Sequence, residues 1–285
     1  MIYGYISCKR LHYWIVKGEI LAFFKSRQTR QISIGLLTLA VVGLFWYLAT
    51  SVFDWINPSR FPKPSEAWSA LQFIQAEGYG NGKLHQHVLH SIQLVLKGFS
   101  VAVAVGVPLG LLMGFSRRAE ALINPAFLLL RPIPPLAWIP LAIVWLGLDD
   151  GSKILVIFVA AFVPSVINTF TGVRNIEVPI MEASRMLGVR GLRMVKEVLV
   201  PGSMPMIFTG LRLSLQASWT TLVAAELIGA LYGLGSILNQ AAQDIYPAMI
   251  LVAMVCVGIC GALSTWVLGQ IENKAMPWRK GRVAE

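Results

Sequence analysis

The sequence predicts an all-α membrane protein with six transmembrane helices. Of its 285 residues, 56% are hydrophobic and 13% are charged, whereas soluble domains are about a quarter charged. The apolar residues are concentrated in runs long enough to cross a bilayer, and the basic residues gather in the loops between these runs. This loop pattern explains the net charge of +10 as membrane topology, so nucleic-acid binding is not expected.

Each apolar run is long enough to cross a hydrocarbon core of about 30 Å as a helix rising about 1.5 Å per residue. The third run is interrupted by "RPIPP", where the prolines predict either a broken helix or a helix that begins at Pro132. The six predicted spans are residues 32–53, 92–115, 121–148, 154–173, 206–231 and 247–271.

Alternate loops carry the Lys and Arg residues, which places both chain termini in the cytoplasm. Residues 1–31 form a basic N-terminal segment that is either an interfacial amphipathic helix around residues 11–24 or an unstructured tail. The transmembrane domain is predicted at residues 32–271, with an outer loop at 54–91 and a cytoplasmic loop at 174–205. A short cytoplasmic tail follows at residues 272–285.

The second span carries small residues at every fourth position: Ala102, Gly106, Gly110 and Gly114. This spacing predicts close packing against another helix backbone. Ahead of that span, three histidines lie in the predicted outer loop without a neighbouring carboxylate or cysteine. They are read as interfacial polar residues rather than as a metal site, and no metal or cofactor is predicted in this chain.

The fifth span is unusually polar for a membrane helix. Charged groups within a membrane are costly and are by default functional candidates, whereas hydroxyl and amide groups also serve helix–helix hydrogen bonds. Both interpretations stay open for this span. The candidate translocation-pathway residues are Arg212, Gln216, Trp219, Thr220, Thr221 and Glu226.

The chain lacks the sequence devices of an enzyme. It contains no G-x-x-x-x-G-K-[ST] phosphate loop, no G-x-S-x-G and no H-E-x-x-H. It therefore carries no recognised means of hydrolysing ATP, and we expect a non-catalytic membrane protein.

A charged segment at residues 182–203, "EASRMLGVRGLRMVKEVLVPGS", separates the fourth and fifth spans. It predicts two short helices around a bend at Gly188 and Gly191, with the second helix ending at Pro201. The second helix would bury an apolar face and expose a basic one. Such an element either docks on a partner protein or is an ordinary basic loop. The apolar face is predicted to comprise Leu192, Val195 and Leu199.

This charged segment resembles the cytoplasmic EAA motif of permease subunits of bacterial ABC importers. The matching residues are Glu182 and Ala183, then Gly188, then Val198 and the Val200–Pro201 pair, with mild departures at Ser184 and Val200. "RPIPPLAWIPLAIVWLG" and "TGLRLSLQASWTTLVAAELIGALYGLG" resemble the branch that imports nitrate, sulfonates, taurine and similar anions. The resemblance covers about residues 85–270.

The resemblance implies the type I importer permease fold in a bacterial inner membrane, with a coupling helix that contacts an ATPase. It also implies partners: a second permease copy, two ABC ATPase subunits that bind ATP and Mg²⁺, and a periplasmic or lipid-anchored solute-binding protein. The alternative is a secondary transporter or channel that works without ATP. By position, the ATPase contact would involve Glu182, Ala183, Ser184, Arg185, Gly188, Arg190, Arg193 and Pro201.

Overall fold

The structure, a computed structural model, describes residues 27–53, 57 and 60–278. Its first unit, Met1–Glu66, contains helix α1 (Arg27–Tyr47), which continues as a π-helical turn over Leu48–Val52. The apolar side chains of α1 are largely exposed, as suits a helix that faces lipid. The predicted interfacial helix and the end of the C-terminal tail lie outside the described residues.

The remaining chain is a bundle of helices joined by short loops, and the described residues contain one isolated β-bridge and no β-strand. The all-α prediction is therefore confirmed for this part of the chain. The helices are α2 (Pro64–Ala76), α3 (Leu84–Phe115), α4 (Arg117–Leu130), α5 (Ile139–Leu146), α6 (Asp150–Arg174), α7 (Val178–Met186), α8 (Gly191–Met194), α9 (Val200–Glu226), α10 (Leu234–Gln243) and α11 (Pro247–Ala275).

Helices of membrane-spanning length and hydropathy occur at five places in the described chain. They cover Ser33–Val52, Leu84–Phe115, Asp150–Arg174, Gly191–Glu226 and Pro247–Ala275. A sixth span is obtained only if α4 and the helical stretch Pro135–Leu146 are counted together. These two arms meet at an angle of 83°, and together we call them the bent segment. The multi-pass architecture is thus established, and the count of six crossings remains a prediction.

Of the two alternatives predicted at "RPIPP", the structure shows the broken helix. Helix α4 ends at Leu130, a 3₁₀ turn covers Pro135–Trp138, and α5 follows with only eight residues. At about 1.5 Å per residue, α5 is about 12 Å long and cannot cross a bilayer alone. The span predicted over residues 121–148, with its interruption at these prolines, therefore corresponds to two arms, Arg117–Leu130 and Pro135–Leu146.

The glycine face of α3 packs directly against α6. A Cβ atom built on Gly106, Gly110 or Gly114 would lie 2.6–2.9 Å from the Cβ atoms of Ser165, Thr169 and Val173 respectively. Real side chains do not approach that closely, so only glycine permits this helix separation. The close packing predicted from the four-residue spacing is confirmed.

Helix α9 packs on a second face of α6 and runs in the opposite direction. A Cβ on Gly172 would lie 2.7 Å from that of Met206, and one on Gly210 would lie 2.7 Å from that of Asn168. Further along, the Ser214 hydroxyl donates to the Ala161 carbonyl oxygen at 2.7 Å. Helix α6 is therefore the central helix of the bundle, with α3 and α9 in close contact on either side.

Helices α3 and α6 are parallel, because Gly98 meets Ile157 and Gly114 meets Val173. The chain leaves α3 at one end of the bundle and enters α6 at the other. Residues 116–149 must therefore return along the length of the bundle. The two arms of the bent segment provide this return in place of a straight helix.

Several predicted boundaries are corrected by the structure. The loop predicted at 54–91 ends earlier, because α3 begins at Leu84. The three histidines at 85–90 are thus on the first turns of α3. The fifth span begins and ends earlier than 206–231, since α9 covers Val200–Glu226.

Pro201 does not end a helix, contrary to the prediction. Helix α8 continues through a π-helical turn at Val195–Leu199 into α9, which gives one helical stretch from Gly191 to Glu226. Proline lacks an N–H and collides with the carbonyl four residues before it in a regular helix. The wider π turn lies at those preceding residues, where it accommodates the proline within the helix.

The glycine face gives a stability prediction. Gly110→Ala places a methyl group 2.7 Å from both the Thr169 Cβ and the Val166 carbonyl oxygen, whereas Gly258→Ala in α11 meets nothing within 4 Å. Both changes replace glycine by alanine within a helix and gain about 1 kcal/mol of helix propensity. The difference in unfolding free energy between the two variants therefore reports the cost of packing alone. We expect Gly110→Ala to be less stable than Gly258→Ala by about 1–3 kcal/mol. Thermal unfolding of the full-length chain in detergent measures this, and equal melting temperatures would contradict it.

Candidate functional site

Helix α9 exposes a polar face made of Thr209, Arg212, Gln216 and Thr220. Spacings of three and four residues place these side chains on one side of the helix. Arg212 forms an ion pair with Glu272 of α11. The Thr209 hydroxyl donates to the Pro205 carbonyl at 2.9 Å and that of Thr220 to the Ala217 carbonyl at 3.0 Å. The hydroxyls thus bond to their own helix, and the face remains open.

The six predicted pathway residues divide into two groups. Arg212, Gln216 and Thr220 lie on the polar face of α9, whereas Trp219, Thr221 and Glu226 are buried within this chain. The Trp219 indole N–H donates to the Ser264 hydroxyl of α11 at 2.9 Å. The sequence showed a polar helix but could not separate its two faces, because both contain hydroxyl and charged residues.

Glu226 is fully buried (0% exposed) at the C-terminal end of α9. Its Oε1 accepts the Ser91 hydroxyl proton at 2.7 Å, and its Oε2 accepts the Gly235 N–H at 2.7 Å. Gly235 lies in the first turn of α10, whose unpaired N–H groups and dipole favour a carboxylate. Glu226 therefore ties α9 to α3 and to the start of α10.

A second hydrogen bond of Ser91 and one further side chain of α3, His87, complete the set of contacts at the start of α10, which we call the cap. The Ser91 hydroxyl accepts the Leu234 N–H at 2.9 Å, and the His87 Nδ1 accepts the Gly233 N–H at 3.0 Å. His87 must therefore be the tautomer with its proton on Nε2, which faces the Tyr79 carbonyl oxygen at 3.2 Å. Three consecutive N–H groups at the start of α10 are thus bound by buried side chains. The sequence predicts His87 only as an interfacial polar residue and does not single out Ser91, although the two are four residues apart on one helix face.

Charged groups lie near this cap. Asp150, at the start of α6, contacts Lys153 and His90, each at 3.2 Å. Tyr79 donates to Asp244, and burial together with that carboxylate raises the pKa of Tyr79 above its usual value. The phenol therefore stays protonated as a donor. Within the described chain, no three His, Cys, Asp or Glu side chains are grouped as metal ligands.

The charged segment folds as a helix, a tight turn and a second helix. Helix α7 ends in a Schellman motif, in which the Val189 N–H bonds the Ser184 carbonyl and the Gly188 N–H bonds the Arg185 carbonyl, both at 3.0 Å. This motif needs a left-handed residue, and Gly188 has φ of +78°. Gly191 follows with φ of +58°. The predicted bend at the two glycines is therefore confirmed.

The apolar face of the second helix agrees with the prediction at Leu199, which is buried, and at Val195, which packs against the same cluster, but it differs at Leu192. Leu192 is 70% exposed instead of buried, while Val189, Met194 and Leu199 pack on Val173 of α6. The left-handed glycine before Leu192 turns the first residues of α8 away from the bundle. Met186 and Leu187 are also exposed, at 83% and 82%. Met186, Leu187 and Leu192 thus form an exposed apolar patch at the turn between α7 and α8. We call this turn the corner and the patch the apolar tip.

The other predicted coupling residues surround this tip. Glu182, Ala183, Arg185, Arg190 and Arg193 are exposed. The Arg193 Nε also contacts Glu197 at 2.8 Å, one turn along the helix. Ser184 is half-buried and bonds its own helix at the Ile180 carbonyl. Pro201, in contrast, lies inside the long helix and away from the corner.

Comparison with solved structures supports the fold. The chain is similar to the MetNI methionine ABC transporter in an inward-facing conformation, with a TM-score of 0.55 and 22% identity. The match covers 67% of this chain and 95% of that chain. At this identity, the likeness concerns the fold alone.

Curated relatives match over most of their length. A putative ABC transporter permease protein of Methanocaldococcus jannaschii is 37% identical over 87% of this chain and 92% of its own. The taurine transport system permease protein of Escherichia coli is 32% identical, covering 88% and 91%. A putative aliphatic sulfonates transport permease protein of Bacillus subtilis is 35% identical, covering 86% and 87%.

A protein-family comparison agrees with these relatives. Residues 106–275 match the binding-protein-dependent transport system inner membrane component. This range includes the glycine face of α3, the central helix α6, the charged segment and the polar face of α9. The chain therefore belongs to the family of inner membrane components of binding-protein-dependent transport systems, as an ABC transporter permease.

Proposed function

We propose that the polar face of α9 lines the path of a small anionic solute. The observation that carries this proposal is the exposure of Arg212, Gln216 and Thr220 on a membrane-spanning helix. Polar groups facing lipid are costly, so such a face belongs against a water-filled path or another protein surface. The buried residues Trp219, Thr221 and Glu226 act in this proposal through helix packing instead of direct solute contact.

The charge arrangement supports an anion that passes through without tight binding. Arg212 supplies a positive charge on the exposed face, and Glu272 partly neutralises it. A conducting path needs attraction that is strong enough for entry and weak enough for release. Two of the relatives are named for taurine and aliphatic sulfonates, which carry a sulfonate anion. We propose the same class of solute for this chain.

The open polar face also supports a second permease copy. One chain supplies only one wall of a path, and oligomers of identical chains commonly close such surfaces by two-fold symmetry. In this proposal two copies face each other across the path. Each copy crosses the inner membrane six times, with both termini in the cytoplasm, because the basic loops alternate and the bent segment returns along the bundle.

We assign the corner at Gly188 to the contact with an ABC ATPase. The exposed apolar tip of Met186, Leu187 and Leu192 is supported from behind by the packing of Val189 and Met194 on α6. An apolar tip on a rigid turn is suited to insertion into a groove of a partner. ATP and Mg²⁺ bind the two ATPase subunits, so this chain is not itself catalytic. A solute-binding protein delivers the solute at the opposite face.

Arg212 provides a test of the path. In proteoliposomes that contain the permease, its ATPase and its binding protein, we expect Arg212→Gln to reduce the initial rate of taurine or ethanesulfonate uptake at least about tenfold. The lost positive charge disfavours an anion, and so does the Glu272 carboxylate once Arg212 no longer offsets its charge. Arg212→Gln combined with Glu272→Gln should recover part of this loss.

The matched control is Arg131→Gln, which removes an exposed positive charge outside α9. We expect it to transport like the unaltered chain. Equal losses for Arg131→Gln and Arg212→Gln would contradict the proposed path. Absence of uptake of both sulfonates by the unaltered transporter, with active ATPase, would contradict the proposed solute class.

Gly188 provides a test of coupling. Its Cβ position is open, so a substitution there is strained only by the left-handed backbone. We expect Gly188→Val, at a cost of about 1–2 kcal/mol, to displace the corner and abolish stimulation of ATP hydrolysis by the loaded binding protein. Gly188→Asn should keep most of the stimulation, because asparagine tolerates this conformation. The measurement is the ATPase rate of the reconstituted complex with and without the loaded binding protein. Similar stimulation in both variants would exclude the proposed role of the turn.

A further inference from the structure

An open cleft of about 460 Å³ lies between the charged segment and the ends of two membrane helices. Its volume falls within the range of about 300–1,000 Å³ that is usual for small-ligand sites. One wall is formed by the last residues of α3 and α6, and the other by α7, α8 and the following π turn. The lining includes Phe115, Val173, Met181, Arg185, Arg190 and Met194.

The floor of the cleft is apolar. Val173, Val189, Met194 and Leu199 form a buried cluster beneath it. Phe115 at the end of α3 adds a partly exposed aromatic wall. An apolar floor that opens at the ends of membrane helices can accommodate a hydrocarbon chain.

The rim of the cleft is basic. Arg174, Arg185 and Arg190 line it, and none of the described lining residues carries a carboxylate. Arg174 is paired with Glu120 and lies over the Phe170 ring at 5.5 Å. In the part of the chain that the structure describes, neither Arg185 nor Arg190 is in an ion pair. These two guanidinium groups therefore supply the net positive charge of the rim.

The cleft and the apolar tip use different faces of the charged segment. Met181 and Arg185 are one turn apart on α7 and both line the cleft. Glu182, Ala183 and Met186 do not line it and remain exposed elsewhere on the corner. A molecule bound in the cleft would thus leave the tip free for a protein partner.

We propose that this cleft binds an anionic phospholipid. The phosphate would bind Arg185 and Arg190, and one acyl chain would lie against the apolar floor. Basic pockets at the ends of membrane helices favour anionic headgroups, with about 1 kcal/mol from each Lys or Arg near the surface. The chain's own N-terminal segment is a less suitable occupant, because its six Lys and Arg residues would be repelled by the basic rim.

The lipid also has a position from which it can influence coupling. It would contact the corner through Arg185 and Arg190 and contact the central helix through Val173. Binding would therefore hold the charged segment against α6. In the proposed orientation the lipid comes from the cytoplasmic leaflet. The binding of the lipid in the cleft does not depend on this orientation.

The test measures lipid retention by the full-length chain. The chain is purified in detergent, stripped of lipid and titrated with phosphatidylglycerol or phosphatidylcholine, and bound lipid is counted by native mass spectrometry. We expect tighter binding of phosphatidylglycerol. The double variant Arg185→Gln and Arg190→Gln should weaken it about 25-fold, about fivefold for each charge.

Two controls make the result specific. Arg117→Gln with Arg118→Gln removes two exposed arginines near the same end of α3 but outside the cleft, and should leave phosphatidylglycerol binding unchanged. Arg185→Lys with Arg190→Lys keeps the charge and should retain binding within about threefold, which also separates lost binding from misfolding. A probe with the headgroup but no acyl chains, glycerol 1-phosphate, should bind far more weakly.

Three results would overturn the proposal. The first is an equal loss of phosphatidylglycerol binding in both glutamine pairs, which would indicate general surface charge. The second is unchanged binding in the Arg185 and Arg190 glutamine pair. The third is equal binding of phosphatidylcholine or of glycerol 1-phosphate, which would exclude the proposed use of charge and of the apolar floor respectively.

Discussion

The close approach of α3 and α9 to α6 is the constraint on which the rest of the bundle depends. On one side, glycines of α3 meet Ser165, Thr169 and Val173 without an intervening side chain. On the other side, Gly210 and the Ser214 hydroxyl bring α9 onto the α6 backbone. In a bilayer, packing and interhelical hydrogen bonds replace the hydrophobic effect as the force that joins helices. Small residues therefore stabilise this bundle because they allow the backbones to meet.

This packing determines which side of α9 remains open. Gly210 and Ser214 face α6, and Trp219 reaches Ser264 of α11. Arg212, Gln216 and Thr220 lie on the other side of α9 from these contacts and project from the bundle. Among the described residues, this polar face is exposed apart from the ion pair between Arg212 and Glu272 of α11, and its composition is unsuited to lipid. Glu226, in contrast, lies on the buried side of α9 and acts as a helix cap, because its carboxylate accepts hydrogen bonds from the neutral donors of Ser91 and Gly235.

Much of the fold could be predicted from the sequence because periodicity and charge are local signals. The glycine spacing on α3, the break at the three prolines and the bend at Gly188 each depend on a few neighbouring residues. The predictions failed where contacts between residues far apart in the sequence, or the geometry of a neighbouring turn, determine the structure. Pro201 stays helical because a π turn precedes it, and Leu192 is exposed because Val189 and Met194 occupy the contact with α6. The His87 and Ser91 cap joins residues more than 140 positions apart, which one sequence cannot reveal.

The continuity of the helix between Gly191 and Glu226 connects the two ends of the molecule. Its 36 residues extend about 54 Å at about 1.5 Å per residue. One end carries the exposed apolar tip, the middle carries the polar face, and the other end is fixed to α3 and α10 through Glu226. A helix that ended at Pro201 would leave the corner joined to the bundle by a hinge. Because the π turn keeps the helix unbroken, the proposed ATPase coupling would transmit a displacement of the corner along α9 to the polar face.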